Sequence, residues 1–539
     1  MNSPPPSGVV GTAAAADNPV VSTAEGVLRG FAAGNLRVYR GIHYGESTAG
    51  VNRFRPPVPV APWEGLRDAT ALGDQCYQRR GMPAAFGEDN DGSEDCLVLN
   101  VWSPAGSGNR PVMVFLHGGG YRGGSGGAPA YDGSRLAERA GVVTVTVNHR
   151  LHLLGFMHLA DLADGYEDSS NASLQDLVEA LRWINRNIAA FGGDPGNVTI
   201  FGESGGGGKV SALMAMPSAA GLFHKSIVQS GSQRRFRSRE EATADAKAAL
   251  DFLGIAPHDR GALEAVPVEK LYDAFLHVSM TRNSARAMSR QAFTPVIDPL
   301  TTPWRPAAPE ALALSRNVPL IIGSNEEETA WWLQDSPILV RPPTSETDII
   351  DTLKRVFPLA GDDEIGTLPA LMTAYRDRIA KPDLWRFLLG ITSDVWMARD
   401  AIATAQARAD SECAPVYLYR FGWSEPCFGG SYAIHAAELL FIFDKLDLAG
   451  VWDAANEPEL RAASDPEGNR YHLRDVMVEA WSNFARSGKP SSSKLPDWPT
   501  YTTQDQQMIR LDGQSTLLAD PFGPEIRALF AQLDIGAGA

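Results

Sequence analysis

The β-branched and aromatic run Val198-Thr199-Ile200-Phe201 stops at Gly202 and passes directly into Glu203-Ser204-Gly205-Gly206. An apolar run of strand length that meets a small-residue turn implies a buried strand reversing sharply into a helix. In a G-x-S-x-G turn the serine hydroxyl is lifted above the sheet, and the flanking glycines keep Cβ atoms off the neighbouring strand and helix. The chain holds 52 glycines in 539 residues, so these five residues alone do not separate a nucleophilic turn from a strand-to-helix turn with a capping serine. The rest of the chain has to decide.

Upstream, Val20–Arg29 and Leu36–Tyr44 read as a meander of short strands, and RFRPPVPVAPW (Arg53–Trp63) as an extended segment barred from helix by its prolines. The acids of FGEDNDGSEDC resemble a calcium loop. With Gly92 as the turn glycine, however, EF-hand spacing puts Gly87 and Val98 at the first and last ligand positions, so the segment reads as a solvated acidic loop. Leu97–Trp102, Pro111–Leu116 and Gly141–Asn148 follow as buried strands. Ala172–Ala190 has the helical period, with Leu174, Leu177, Val178, Leu181, Trp183, Ile184 and Ile188 on one stripe. Lys225–Gln229, Val318–Ile322 and Val416–Phe421 read as further strands, Ser345–Ala409 as mainly helical, and Val476–Ala485 as helix. Near-continuous apolar strands alternating with helices predict an α/β fold with a large, mostly parallel central sheet covered on both faces. No repeat or linker divides the chain. Residues 20–535 are expected to form one domain, with a helical insertion at about 340–412 over the sheet and a disordered arm at 1–19.

The formal net charge of −16 argues against a nucleic-acid or anionic-membrane partner. No stretch approaches the roughly 20 apolar residues of a membrane span. The first residues show no basic segment followed by a long apolar one, so no intact leader is visible, and Ala13–Ala16 reads as a leader remnant or as part of the arm. Cys76, Cys96, Cys413 and Cys427 form no paired C-x-x-C metal site. A bridge between Cys76 and Cys96 would close a modest loop and suit an oxidising compartment, which tilts the expected location toward export.

An activated serine needs a base, an acid to orient that base, and donors for the developing oxyanion; in α/β-hydrolases these follow in the order nucleophile, acid, histidine. HGGGY at 117–121, EDCLVLN at 94–100, FGGDPGNVTIFGESGGG at 191–207, GSNEEE at 323–328 and IHAAEL at 434–439 stand in that order. Together they resemble the type-B carboxylesterase family, an α/β-hydrolase family that includes bacterial and mammalian carboxylesterases, cholinesterases and the non-catalytic neuroligins. The resemblance runs from about Val20 to the Phe484–Pro490 stretch and the nearby Trp498-Pro499. It implies Ser204 as nucleophile, Glu328 as acid and His435 as general base, with the amides of Gly119, Gly120 and Gly205 as the oxyanion hole. It also implies a Cys76–Cys96 disulfide. Of the three adjacent glutamates the family spacing selects Glu328, which leaves Glu326 and Glu327 facing solvent.

Several residues keep two readings. Glu203 either tunes His435 and orders water or is a buried acid bonded to backbone. In SGSQRRFRSRE, Arg235 or Arg237 either faces the site and favours a polar or anionic acyl group, or the segment is a basic start to a surface helix. Trp331, Trp332, Trp396, Met397 and Phe293 either line an apolar pocket or fill core. The absence of tryptophan between Cys76 and Cys96 makes a choline ester an unsuitable substrate, since the family's cation–π partner is missing. A Cys413–Cys427 bridge is a further pairing the count allows.

The expected function is hydrolysis of a small carboxylic ester through an acyl-enzyme on Ser204, with no metal or organic cofactor, by a monomer or small homo-oligomer. Amide or carbamate cleavage by the same residues, and a non-catalytic binding protein on the same scaffold, are the competing readings.

Overall fold

The structure, a computed structural model, describes residues 18–79, 81–106, 108–283, 291–333, 342–356, 362–378 and 383–533. The expected arm at 1–19, apart from Asn18 and Pro19, lies outside the described residues, as do 340, 341, 357–361 and 379–382 of the expected insertion.

An 11-stranded sheet carries the fold. Its strands are β1 (Phe31–Ala33), β2 (Leu36–His43), β3 (Val98–Pro104), β4 (Arg110–Leu116), β5 (Val143–Val147), β6 (Gly193–Glu203), β7 (Lys225–Gln229), β8 (Leu320–Asn325), β9 (Val416–Phe421), β10 (Gln507–Leu511) and β11 (Thr516–Ala519). The spatial order is β11-β10-β9-β8-β7-β6-β4-β5-β3-β2-β1. Pairing is parallel from β10 through to β5, and the outer pairs are antiparallel. Every residue of β5, β7, β8 and β9 is buried, as expected of parallel strands covered on both faces. The N-terminal meander splits instead: Val20–Ser22 and Val27–Arg29 join Leu66–Asp68 in a separate three-stranded sheet, while Leu36–His43 enters the main one.

The helix α1 (Ala172–Asn187) buries the stripe read from its periodicity, from Leu174 through Ile184, and a short 3₁₀ turn that includes Ile188 continues it. Helix α2 (Gly205–Met214) starts on the residue after Ser204. Helices Glu346–Val356, Asp362–Arg378, Leu384–Ser393 and Arg399–Asp410 occupy the region read as helical insertion. Among the described residues no helix is long and apolar enough to cross a membrane.

Strand order places the chemistry. The HGGG loop follows β4, Ser204 follows β6, Glu328 follows β8, and His435 lies in the connection after β9. These strands are parallel, so all four segments emerge at one edge of the sheet, the edge at which open α/β sheets bind their ligands.

Candidate active site

The turn at Ser204 is held in a backbone conformation that side chains rarely adopt, φ 56° and ψ −124°. Such a conformation costs about 1–3 kcal/mol and persists only where neighbours over-determine it. Here the Ser204 N–H donates to Gln229 O at the end of β7 (2.8 Å), and the Ser204 carbonyl accepts from Gly208 N–H (3.0 Å).

Glu328 is buried after β8, and its two oxygens are used differently. Oε1 accepts the Asn325 N–H at 2.7 Å, and Oε2 lies 2.6 Å from His435 Nδ1. A carboxylate on Nδ1 places the imidazole proton there and leaves Nε2 as the basic nitrogen. Nε2 is brought to the elbow: it lies 3.1 Å from Glu203 Oε1, on the residue before Ser204, without hydrogen-bond alignment. Ser204 Oγ and Nε2 are not hydrogen-bonded in this structure, a looseness common in substrate-free sites. The Trp332 ring packs on His435 at 4.6 Å and meets Trp396 edge-on at 4.4 Å, giving the imidazole an apolar cover.

The glycine loop after β4 lies against the elbow. A Cβ on Gly118 would stand 3.0 Å from Glu203 Oε2, and one on Gly205 would stand 2.8 Å from Gly120 N. Gly119 and Gly120 take φ 87° and 58°, values that suit glycine. Among the described residues the N–H groups of Gly119 and Gly120 donate to no protein acceptor. The Gly205 N–H is one of the donors left over at the start of α2. Unpaired backbone donors beside a strained serine, at the positive end of a helix, suit a negatively charged oxygen.

The whole chain bears comparison with known proteins on this basis. A model of the Carboxylesterase family matches residues 17–525. The chain belongs to the carboxylesterase family. It is 34% identical over 515 residues to the para-nitrobenzyl esterase of Bacillus subtilis (strain 168), covering 95% of this chain and 98% of that protein. It is 32% identical to the liver carboxylesterase of Sus scrofa, over 91% and 89% of the two chains. Among solved structures, a thermophilic PNB esterase superimposes with a TM-score of 0.80 at 32% identity, over 95% of this chain and 100% of that one. A carboxylesterase of Geobacillus stearothermophilus superimposes with a TM-score of 0.80 at 34% identity, over 95% and 99%. These are likenesses of an α/β-hydrolase fold over nearly the full chain.

Within this member of the carboxylesterase family, four expectations change. Cys76 and Cys96 are buried side by side with their thiols in contact and are not bridged in this structure; the Cys76 sulfur accepts the Leu151 N–H at 3.3 Å. Cys413 and Cys427 are free as well, with Cys413 directed at Leu312 O and Cys427 at Glu425 O. Glu326 and Glu327 do not face open solvent. Glu326 pairs with Arg510 (2.9 Å), and Glu327, 4% exposed, pairs with Arg386 (2.8 Å) and accepts the Ala433 N–H. Both anchor the loops that hold Glu328 and His435. Arg237 turns away from the site: it forms an ion pair with Asp245 and donates to Glu241 O (3.1 Å), because Asp245 is buried on the following helix and needs a cation.

A cavity of about 290 Å³ opens beside Ser204, bounded by Gly120, Gly205, Arg234, Arg235, Trp396 and Met397 among others. Of the candidate aromatics, Trp396 lines it and Trp332 covers the imidazole. Trp331 packs on Phe86 and Trp452, and Phe293 is core. Among the described residues no group of three or more His, Cys, Asp or Glu side chains converges as metal ligands would.

Two buried ionisable groups join the site without having been singled out in the sequence. Glu438 receives Asn325 Nδ2 (2.7 Å) and Gln229 Nε2 (3.2 Å), and burial together with Glu328 pushes its carboxyl up to about 7. Its signal was its place three residues after His435. Lys209 is fully buried, with Nζ donating to the His117 carbonyl at 2.8 Å and lying over the Tyr121 ring, and burial pulls its ammonium down to about 7. A lysine four residues into a glycine-rich helix start gives no sequence cue that it faces inward. Because Lys209 tethers the residue that opens the glycine loop, Lys209→Met is expected to lower kcat by about tenfold, a modest fraction of what loss of an oxyanion donor costs. KM should change less. A steady-state kcat within twofold of wild type would remove the tether's role.

Proposed function

We propose that Ser204, His435 and Glu328 carry out the carboxylic ester hydrolysis that family membership assigns to this chain. The observation that carries the reading is the directed path from Asn325 N–H through Glu328 to His435 Nδ1, which turns Nε2 toward the serine turn and Glu203. Ser204 Oγ attacks the ester carbonyl while Nε2 takes its proton. The tetrahedral oxyanion is met by the amides of Gly119, Gly120 and Gly205, and Glu328 stabilises the imidazolium. The alcohol leaves with the proton from Nε2. Water, deprotonated by the same nitrogen, then releases the acid from Ser204. No step calls for a metal or an organic cofactor. Incubation with an organophosphonate is expected to abolish turnover of short-chain p-nitrophenyl esters and to leave one phosphonyl group on the Ser204 peptide. Inactivation with the adduct elsewhere would overturn the assignment.

Glu203 acts on the base. Among the described residues its carboxylate accepts no backbone hydrogen bond, and burial holds it well above the usual carboxylate range. Burial also pulls the His435 imidazole down, but the facing Glu203 and Glu328 more than reverse this and leave it pushed up to about 9. The Glu203–His435 pair therefore holds a proton at neutral pH, and base capacity grows as pH rises. Glu203→Gln removes one carboxylate, lowers the imidazole pKa and populates neutral His435 at lower pH. The acid limb of the kcat/KM profile is expected to move toward acid by about one unit or more. A limb that stays in place would show that Glu203 does not tune His435.

A further inference from the structure

The chain leaving β7 is folded back over the nucleophile. Ser230 takes φ 46°, its N–H donates to Gly323 O (2.9 Å), and Gly231 Cα would stand 3.0 Å from a Cβ on Gly207. The glycine run of α2 thus lets residues 231–235 approach closely. Gln233 accepts the Tyr121 hydroxyl, and its Nε2 donates to Arg235 O (2.9 Å), which ties this segment to the glycine loop.

The segment forms one wall of the cavity beside Ser204, and His435 is not among the residues lining that cavity. The leaving alcohol must reach His435 to be protonated. A cavity that shares Ser204, Gly120 and Gly205 but not His435 therefore receives the acyl chain.

Its charge is lopsided. Among the described residues that line it the one acid, Asp400, is bonded to Arg399 Nε (3.0 Å), which leaves Arg234 with no acid beside it. Among the described residues Arg234 has no ion pair, and its Nε and the Ser232 Oγ are both buried without a hydrogen-bond partner. Buried donors of this kind are costly until an acceptor reaches them, and a guanidinium selects a carboxylate. Trp396 and Met397 supply the apolar wall that the methylenes of a short chain would follow.

We propose that Ser232 and Arg234 form an anion subsite for the acyl group. The preferred substrates are then monoesters of short dicarboxylic acids, whose free carboxylate binds Arg234 while the ester carbonyl sits at Ser204. The proposal rests on Ser204 being the nucleophile.

The test compares monoethyl succinate with ethyl butyrate, equal in carbon count and different in charge. Wild type is expected to favour the succinate in kcat/KM by about tenfold or more, and the preference should fall as salt is raised. Arg234→Gln should lose about 10- to 100-fold on the succinate, the usual effect of removing a charged hydrogen bond, and less than about twofold on the butyrate. Arg234→Lys keeps the charge without the fork and should retain part of the preference. Free succinate should inhibit butyrate hydrolysis by wild type and inhibit Arg234→Gln at least tenfold less. Equal losses on both esters, or a wild-type preference for butyrate, would overturn the subsite. Failure of the nucleophile assignment would look different: Ser204→Ala would still hydrolyse ethyl butyrate. Thermal midpoints for both arginine variants separate misfolding from lost recognition.

Discussion

Ser204→Ala is expected to lower turnover of a short-chain p-nitrophenyl ester by about four to six orders of magnitude, because only the oxyanion donors and binding remain once the nucleophile is gone. KM should move little, since the side chain contributes to the reaction rather than to holding the ester. Ser204→Gly should be equally inactive but more stable, by about 1 kcal/mol, because glycine takes positive φ without strain. The pair of variants separates chemistry from backbone strain. Steady-state kinetics and chemical denaturation provide both readouts, and residual activity within a hundredfold of wild type in either variant would remove Ser204 from the mechanism.

The second large effect concerns the glycine run rather than the serine. A Cβ on Gly206 would overlap the Leu116 carbonyl oxygen and stand 3.0 Å from the His117 carbonyl. Leu116 is the last residue of β4, paired with Val147 on one side and Gly202 on the other, so it cannot withdraw without disturbing the centre of the sheet. Gly206→Ala is therefore expected to cost more than about 4 kcal/mol, at the upper end of single-residue effects, and to give little soluble protein. Gly208→Ala is the control. There the nearest atoms are the ends of flexible side chains, the Tyr121 hydroxyl and Gln233 Oε1, so a loss of about 1–3 kcal/mol is expected, typical of overpacking that side chains can relieve. Equal denaturation midpoints for the two variants would show that the backbone contact at Gly206 does not constrain the fold.

Much of this arrangement was legible in the chain because its signals are local. A strand such as Pro111–Leu116 carries its burial in a continuous apolar run, and α1 carries its buried face in its period. Sequence order and motif resemblance pointed to Ser204, Glu328 and His435, and the structure brings Glu328 into contact with His435 and His435 to the turn at Ser204. The splitting of the N-terminal strands between two sheets was not legible, since a short strand's period says nothing about which partner pairs with it.

Long-range pairing decided the remainder. Nothing in Glu326-Glu327-Glu328 distinguishes two ion pairs with arginine from one contact with histidine until Arg510, Arg386 and His435 are placed around them. The same holds for the arginines. Arg237 is consumed by Asp245, and Arg234 is left at the cavity wall, because of what packs opposite each one rather than because of its neighbours in sequence. Cys76 and Cys96 show the limit from the other side: the motif implied a bridge, and the structure holds two buried thiols.

The glycine run after Ser204 joins the two levels. By itself the sequence determined that a strand must end in a strained turn there, since only small flanking residues permit one. Only the tertiary structure decided why four glycines follow. Gly205 meets the glycine loop, Gly206 the end of β4, Gly207 the turn after β7, and Gly208 the Tyr121 and Gln233 side chains. Two stretches distant in sequence, residues 116–121 and 229–233, converge on one helical turn, and the absence of side chains there is what lets both lie against the turn at Ser204.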